Sequence, residues 1–166
     1  MGIFSGKQEN STKDIPVVCN VKLERYVGTW YEIARLPHSF ERGLDNVTAT
    51  YYLKSDGKIE VINAGLKNGE KSMAKATAWI PDKSCTGKLL VSFFWPIKGE
   101  YKIIKLDEEN YRYAVVTSST KNYLWILSRE PRISDRLYDD LIAYTAANGF
   151  DTSIIIKVKQ NEERFL

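Results

Sequence analysis

Between residues 28 and 129 apolar and polar side chains alternate in short runs: TWYEIARL, VTATYYL, KIEVINAGL, KSMAKATAWI, KLLVSFFW, EYKIIKL, YRYAVVTS and YLWILSR. A period of two puts successive side chains on opposite faces, as in strands with one buried face. The segments between the runs, ERGLDN, SDG, NGE, PDKSCTG, PIKG, DEEN and STKN, are turn sequences. Asp-Gly and Asn-Gly accept the positive φ of tight hairpins, so the pattern predicts eight strands in an antiparallel, up-and-down meander. Such a sheet exposes its edges unless it closes, which predicts an all-β, eight-stranded barrel.

After Arg129 the period changes. Leu137, Leu141 and Tyr144 form a stripe at helical spacing, flanked by Tyr138 and Ile142. Ser134 suits the N-cap, Asp135 the positive end of the helix, and Gly149 the position after it. The spacing predicts one helix over about 134–148, packed by its single apolar face on the outside of the barrel. The run TSIIIKVKQ predicts a final short strand. The length of 166 residues fits one domain, with residues 1–14 read as a flexible polar leader and residues 15–166 as the domain.

Composition excludes several classes. Hydrophobic residues make up 43% and charged residues 27%, and 24 basic side chains are scattered among 21 acidic ones. No basic face for nucleic acid emerges, and no apolar run approaches the roughly 18 residues of a membrane helix. The opening residues lack the apolar segment of a secretory signal. His38 is the single histidine, in the first long loop, and neither a metal-ligand cluster nor a nucleophile motif accompanies it. No metal and no cofactor are expected. Cys19 precedes the first strand and Cys85 sits in the fourth turn; counting strand directions puts both at one end of the barrel. A disulfide is therefore geometrically feasible, and two free thiols are the other reading, favoured by the lack of a secretion signal.

An eight-stranded barrel either fills with its own side chains or holds one small ligand. Parity places Gly28, Trp30, Glu32 and Ala34 on one face of the first strand, and Ala74, Ala76 and Ala78 on one face of the fourth. It groups Leu89, Val91 and Phe93 in the fifth, and Tyr123, Trp125, Leu127 and Arg129 in the eighth. Small residues facing amphipathic aromatics and a carboxylate suit a ligand pocket. A packed core is the alternative, because strands are enriched in aromatics anyway.

Gly28-x-Trp30 opening the first strand, with Arg129 ending the eighth just before a helix, resembles the lipocalin signature. RYVGTWYEIARLPHSFERGLDNVTATYYL and YLWILSREP resemble in particular the bacterial outer-membrane lipocalins, relatives of apolipoprotein D and the plant temperature-induced lipocalins. The resemblance covers about residues 15–160 and implies the lipocalin calyx. In it Trp30 would plug the closed end, Arg129 would lie across the indole, and Gly28 would permit their approach. It implies that Tyr51, Asn63, Tyr101 and Trp125 line a pocket, joined by parity by Glu32, Phe93 and Tyr123. Arg42, Lys67, Lys98 and Lys121 would stand on the loops of the mouth.

The implied function is non-catalytic binding, transport or storage of a fatty acid or lysophospholipid, in membrane lipid maintenance under stress. The rival is an isomerase- or dehydratase-like enzyme acting on a lipid through Glu32 and an interior tyrosine. Peripheral membrane association and a homodimer stay open. The resemblance implies the cell envelope, periplasm or outer membrane, but PVVC is a poor lipidation motif here, and the family's second motif is blurred into DEENYRY.

Overall fold

The computed structural model describes residues 10–94 and 97–161, and at residues 93, 94, 97 and 98 the backbone alone. A short helix, α1 (Leu23–Tyr26), leads into eight strands: β1 (Gly28–Arg35), β2 (Leu44–Leu53), β3 (Ile59–Lys67), β4 (Glu70–Trp79), β5 (Lys88–Phe94), β6 (Ile97–Leu106), β7 (Tyr113–Thr117) and β8 (Leu124–Ser128). Each pairs antiparallel with the next, and β1 pairs with both β8 and β2, which closes the barrel. β2 begins at Leu44, ahead of the VTATYYL run, because a bulge between Asp45 and Thr48 absorbs the polar residues. Asn46 takes the left-handed backbone there, with φ 51°.

The helix forms as α2 (Asp135–Ala147), with the Ser134 hydroxyl accepting from the Leu137 amide at 3.1 Å. Gly149, at φ 86°, reverses the chain after it. Leu141 and Thr145 are fully buried. They face a core on the outside of the wall that contains Ile33, Ala34, Ile104, Val115, Leu124 and Ile126. The other core lies inside the barrel around Trp30, Tyr51, Val61, Ala78, Ile103 and Leu127. The last run is only partly strand. Asp151 accepts from the Ser153 amide and sets a 3-10 turn at Thr152–Ile154, which leaves β9 (Ile156–Lys157) to pair with Ala34 and Arg35.

Three expectations need correction. Ala34 does not face inward with Trp30 and Glu32, because the β1–β8 register slips between Glu32 and Ala34. The slip turns Ala34 into the outer core and gives the next inward position to Arg35, which is 2% exposed. Two free thiols are also overturned, since Cys19 and Cys85 form a disulfide. Thr86 draws them together: its amide and hydroxyl both donate to the Cys19 carbonyl at 2.9 Å. Of the leader expected at residues 1–14, residues 1–9 lie outside the described residues, and residues 11 and 12 bond to the β7–β8 turn. Ser11 bridges to Thr120, and the fully buried Thr12 bonds through its amide to Ser119 and accepts from Lys102 Nζ at 3.0 Å.

One feature of the wall bears on the site. β1 and β2 pair only from Gly28↔Tyr51 to Tyr31↔Thr48, so their ladder stops halfway up. Above it the strands part, and the segment 156–161 fills the seam. Val158 donates to the Ile33 carbonyl and Asn46 to the Lys159 carbonyl, while Gln160 Nε2 donates to both Glu32 and Val47 carbonyls at 2.8 and 2.9 Å.

Candidate functional site: the barrel interior and its mouth

The closed end is sealed by aromatic and backbone contacts. Trp30 is fully buried, and its Nε1 donates to the Tyr26 carbonyl at 2.7 Å. The Arg129 guanidinium lies 3.9 Å above the indole. Its nitrogens donate to the carbonyls of Arg25, Tyr26, Val27, Thr29 and Tyr111. Gly28 adopts φ 100°, and a Cβ there would stand 3.3 Å from Arg129 Nη1, so both backbone and space call for glycine.

Above this floor three tyrosines join hydroxyls. Tyr101 bonds Tyr26 at 2.5 Å and Tyr51 at 2.8 Å. Burial pushes all three well above the ordinary tyrosine range, against the lowering pull of the Tyr101 hydroxyl on Tyr26 and Tyr51, so they stay neutral donors and acceptors. Tyr51 and Tyr101 carry a ligand-lining reading from the sequence; Tyr26 does not. It comes from the four-residue α1, too short to leave a periodic signal.

The inward face opens toward the mouth. Along β4 Ala78 is 1% exposed, Ala76 is 5% exposed, and Ala74 is open to solvent. Asn63, paired with Ala74 in the β3–β4 register, is half-buried, as are Val91, Tyr101 and Trp125. The side chains of Phe93 and Lys98 lie outside the described residues.

At the mouth the structure assembles a buried polar cluster. The first loop, residues 36–43, folds back through a 3-10 turn at Ser39–Glu41 and lowers Glu41 onto the barrel. Glu41 Oε1 accepts from Trp125 Nε1 at 2.7 Å and from His38 Nε2 at 2.6 Å. Arg35 Nη1 donates to Glu32 at 3.1 Å, and Nη2 donates to the carbonyls of Glu41 and Leu44. Tyr123 and Trp125 stack at 6.0 Å, with the His38 ring edge-on to both. Glu32 and Glu41 respond oppositely. Burial and the charge of Glu41 push Glu32 well above the carboxylate range, against the opposing pull of Arg35. Burial also resists ionisation of Glu41, but hydrogen bonds from His38, Glu32 and Trp125 outweigh it and bring Glu41 down to about 2. The two carboxyls are thus pushed in opposite directions, Glu32 toward keeping its proton and Glu41 toward losing it.

Of the sequence-selected residues, Glu32, Tyr123 and Trp125 meet at the mouth, Tyr51 and Tyr101 meet above the floor, and Asn63 stands alone on the wall between them. Arg35, His38 and Glu41 were not selected. A strand count cannot register the bulge that turns Arg35 inward, and His38 finds its partner only through the fold of the loop. Arg42 and Lys67 are exposed on the open-end loops and Lys121 stands in the β7–β8 turn. Among the described residues no group of His, Cys, Asp and Glu could hold a metal.

A closed up-and-down barrel with a sealed floor, a polar mouth and one outer helix is a calyx. The Lipocalin-like domain matches residues 21–160, and the chain belongs to the lipocalin family. It is 48% identical over 151 residues to the outer membrane lipoprotein Blc of Citrobacter freundii, covering 89% of this chain and 84% of that one. It is 34% identical to temperature-induced lipocalin-1 of Arabidopsis thaliana, over 90% and 85% of the two chains. Insecticyanin from the tobacco hornworm Manduca sexta shares the fold with a TM-score of 0.75 at 23% identity, over 90% of this chain and 86% of that one.

Proposed function

We propose that the barrel binds and carries, without altering it, a single-chain amphipathic lipid, a fatty acid or a lysophospholipid, and that this serves upkeep of membrane lipid under stress. The observation that carries the reading is the gradient along the inward face, from Ala78 sealed at the floor to Ala74 open near the mouth. One apolar chain fits such a cup lengthwise. Its head would stay among Arg35, Glu32 and Trp125, and its end would approach the neutral tyrosine hydroxyls. The outer-membrane placement in the name of the Citrobacter relative agrees with a lipid cargo.

Each buried methylene contributes roughly 0.8 kcal/mol. Binding is therefore expected to tighten as the chain lengthens from about C10 to about C16 and then to level off as the cup fills. Trp125, held by Glu41 at the mouth, should report it by a fluorescence change that Trp125→Phe largely removes. Affinity indifferent to chain length, or a signal that survives loss of Trp125, overturns the reading. The second reading, a lipid isomerase or dehydratase, has one observation in its favour: Glu32 and Glu41 are driven to opposite protonation states, as an acid and a base would be. Recovering the lipid after incubation separates the two, since an altered lipid means an enzyme and an unchanged one a carrier.

A further inference from the structure

Where the seam between β1 and β2 reaches the rim, a second and smaller recess opens. Arg35, Pro37, His38, Arg42, Gly43 and Ile156 line a cleft of about 160 Å³ between the first loop and β9. Two of these side chains are almost fully buried, Arg35 at 3% and His38 at 8% exposed. Yet Arg35 Nε and His38 Nδ1 have no hydrogen-bond partner among the described residues. The remaining nitrogens of both side chains are committed, Arg35 to Glu32 and two carbonyls and His38 to Glu41. A buried polar nitrogen without a partner is costly, and native folds keep few of them. Both residues line this one cleft, beside the exposed Arg42.

We propose that this cleft is an oxyanion site, which takes a phosphate or carboxylate group between Arg35 Nε–H, His38 Nδ1–H and the Arg42 guanidinium. The local charges favour it. His38 faces Glu32 and Arg35 of β1, Glu41 and Arg42 of its own loop, the neutral Tyr123 and Trp125 of β8, and the apolar Ile156 of β9. Arg35 is met by both Glu32 and Glu41, and Arg42 makes no ion pair among the described residues. Glu41 already holds the Nε2 proton of His38, so an anion at Nδ1 needs the second ring proton. Free phosphate and a lipid phosphodiester share this chemistry, and the site stands whatever fills the barrel.

The chain has a single histidine, so the ring signals of His38 need no assignment. Inorganic phosphate is expected to shift them saturably, where chloride at equal ionic strength does not. Arg42→Ala should weaken phosphate binding about tenfold, the loss of one charge-assisted contact. His38→Gln should abolish it by calorimetry while melting like the parent protein. A lysophosphatidylcholine that outbinds the monoacylglycerol of equal chain length, with the advantage lost in Arg42→Ala, identifies the anion as a lipid headgroup. Saturable phosphate binding with no such preference supports the site with a free anion as its ligand. Shifts no larger than those with chloride, or phosphate binding untouched by Arg42→Ala, overturn the proposal.

Discussion

Two arginines serve the two ends of the barrel, and they are neutralised differently. Arg129 at the floor gives its donors to five backbone carbonyls and its flat face to Trp30. Those acceptors carry no ionisable proton, so the arrangement is indifferent to pH. Arg35 at the mouth shares space with two carboxyls whose acidities are driven apart, and one of its nitrogens is left over. The floor is a finished structural joint. The mouth keeps an unspent donor and two carboxyls of opposed acidity, which is what a group that must meet a changing partner requires. The two ends of one barrel thus separate stability from recognition.

The comparison breaks most readily at the floor. Trp30→Ala is expected to cost about 3–5 kcal/mol, as for a fully buried large side chain. Arg129→Ala should also destabilise, by leaving backbone carbonyls and the indole without their partner. Because the two touch, their effects should be strongly non-additive in a double-mutant cycle by denaturant melts. Simple additivity would mean that the floor is not one joint. Next in size is the disulfide that ties the segment before α1 to the same end. Replacing Cys19 and Cys85 by serine should lower stability by about 2–4 kcal/mol, and thiol titration of the unfolded, unreduced parent should find no free thiol among these two.

The mouth should give the smallest effects and the only marked pH dependence. Glu41 ionises in the fold at about 2, below its unfolded range, so its contribution is present above about pH 4.3 and fades as pH falls toward 2. Glu32 is raised, so the stability from its retained proton is full below about pH 4.3 and is lost as pH rises through its folded value. Glu41→Gln should cost about 1–2 kcal/mol at neutral pH and erase the acid-side loss. Glu32→Gln, permanently neutral, should melt independently of pH on the alkaline side, where the parent declines. If Glu32→Gln and the parent lose stability in parallel as pH rises, the proton is not on Glu32 and the contrast between the ends is weaker than drawn.

The floor was legible in the sequence because its residues declare themselves by type and spacing. Gly28 and Trp30 open β1, Arg129 follows β8, and the alternation between them sets the strand number and direction. Ser134 and Gly149 likewise mark the ends of α2. The mouth was legible only in part. Glu32, Tyr123 and Trp125 follow from parity, but parity fails across the bulge after Glu32, which exchanges Ala34 for Arg35 at the inward position. His38 and Glu41 depend on how an eight-residue loop folds back, a tertiary event with no periodic trace. The cysteines are brought together by the bonds from Thr86 to the Cys19 carbonyl, a tertiary contact with no trace in the spacing.

The half-length ladder between β1 and β2 bears on how the chain is made. Below Tyr31 the two strands zip directly, and those pairs are local in sequence. Above it the wall is completed by Gln160, which lies 128 residues beyond Glu32 and 113 beyond Val47. A ribosome delivering the chain from its first residue leaves the upper edges of both strands unpaired until that distant segment emerges. Closure that waits on so remote a contact is slow, and open strand edges invite pairing with other chains. The seam therefore makes the interval between synthesis of Val47 and of Gln160 the period of greatest exposure to aggregation, and a chain shortened before Val158 would carry that exposure permanently.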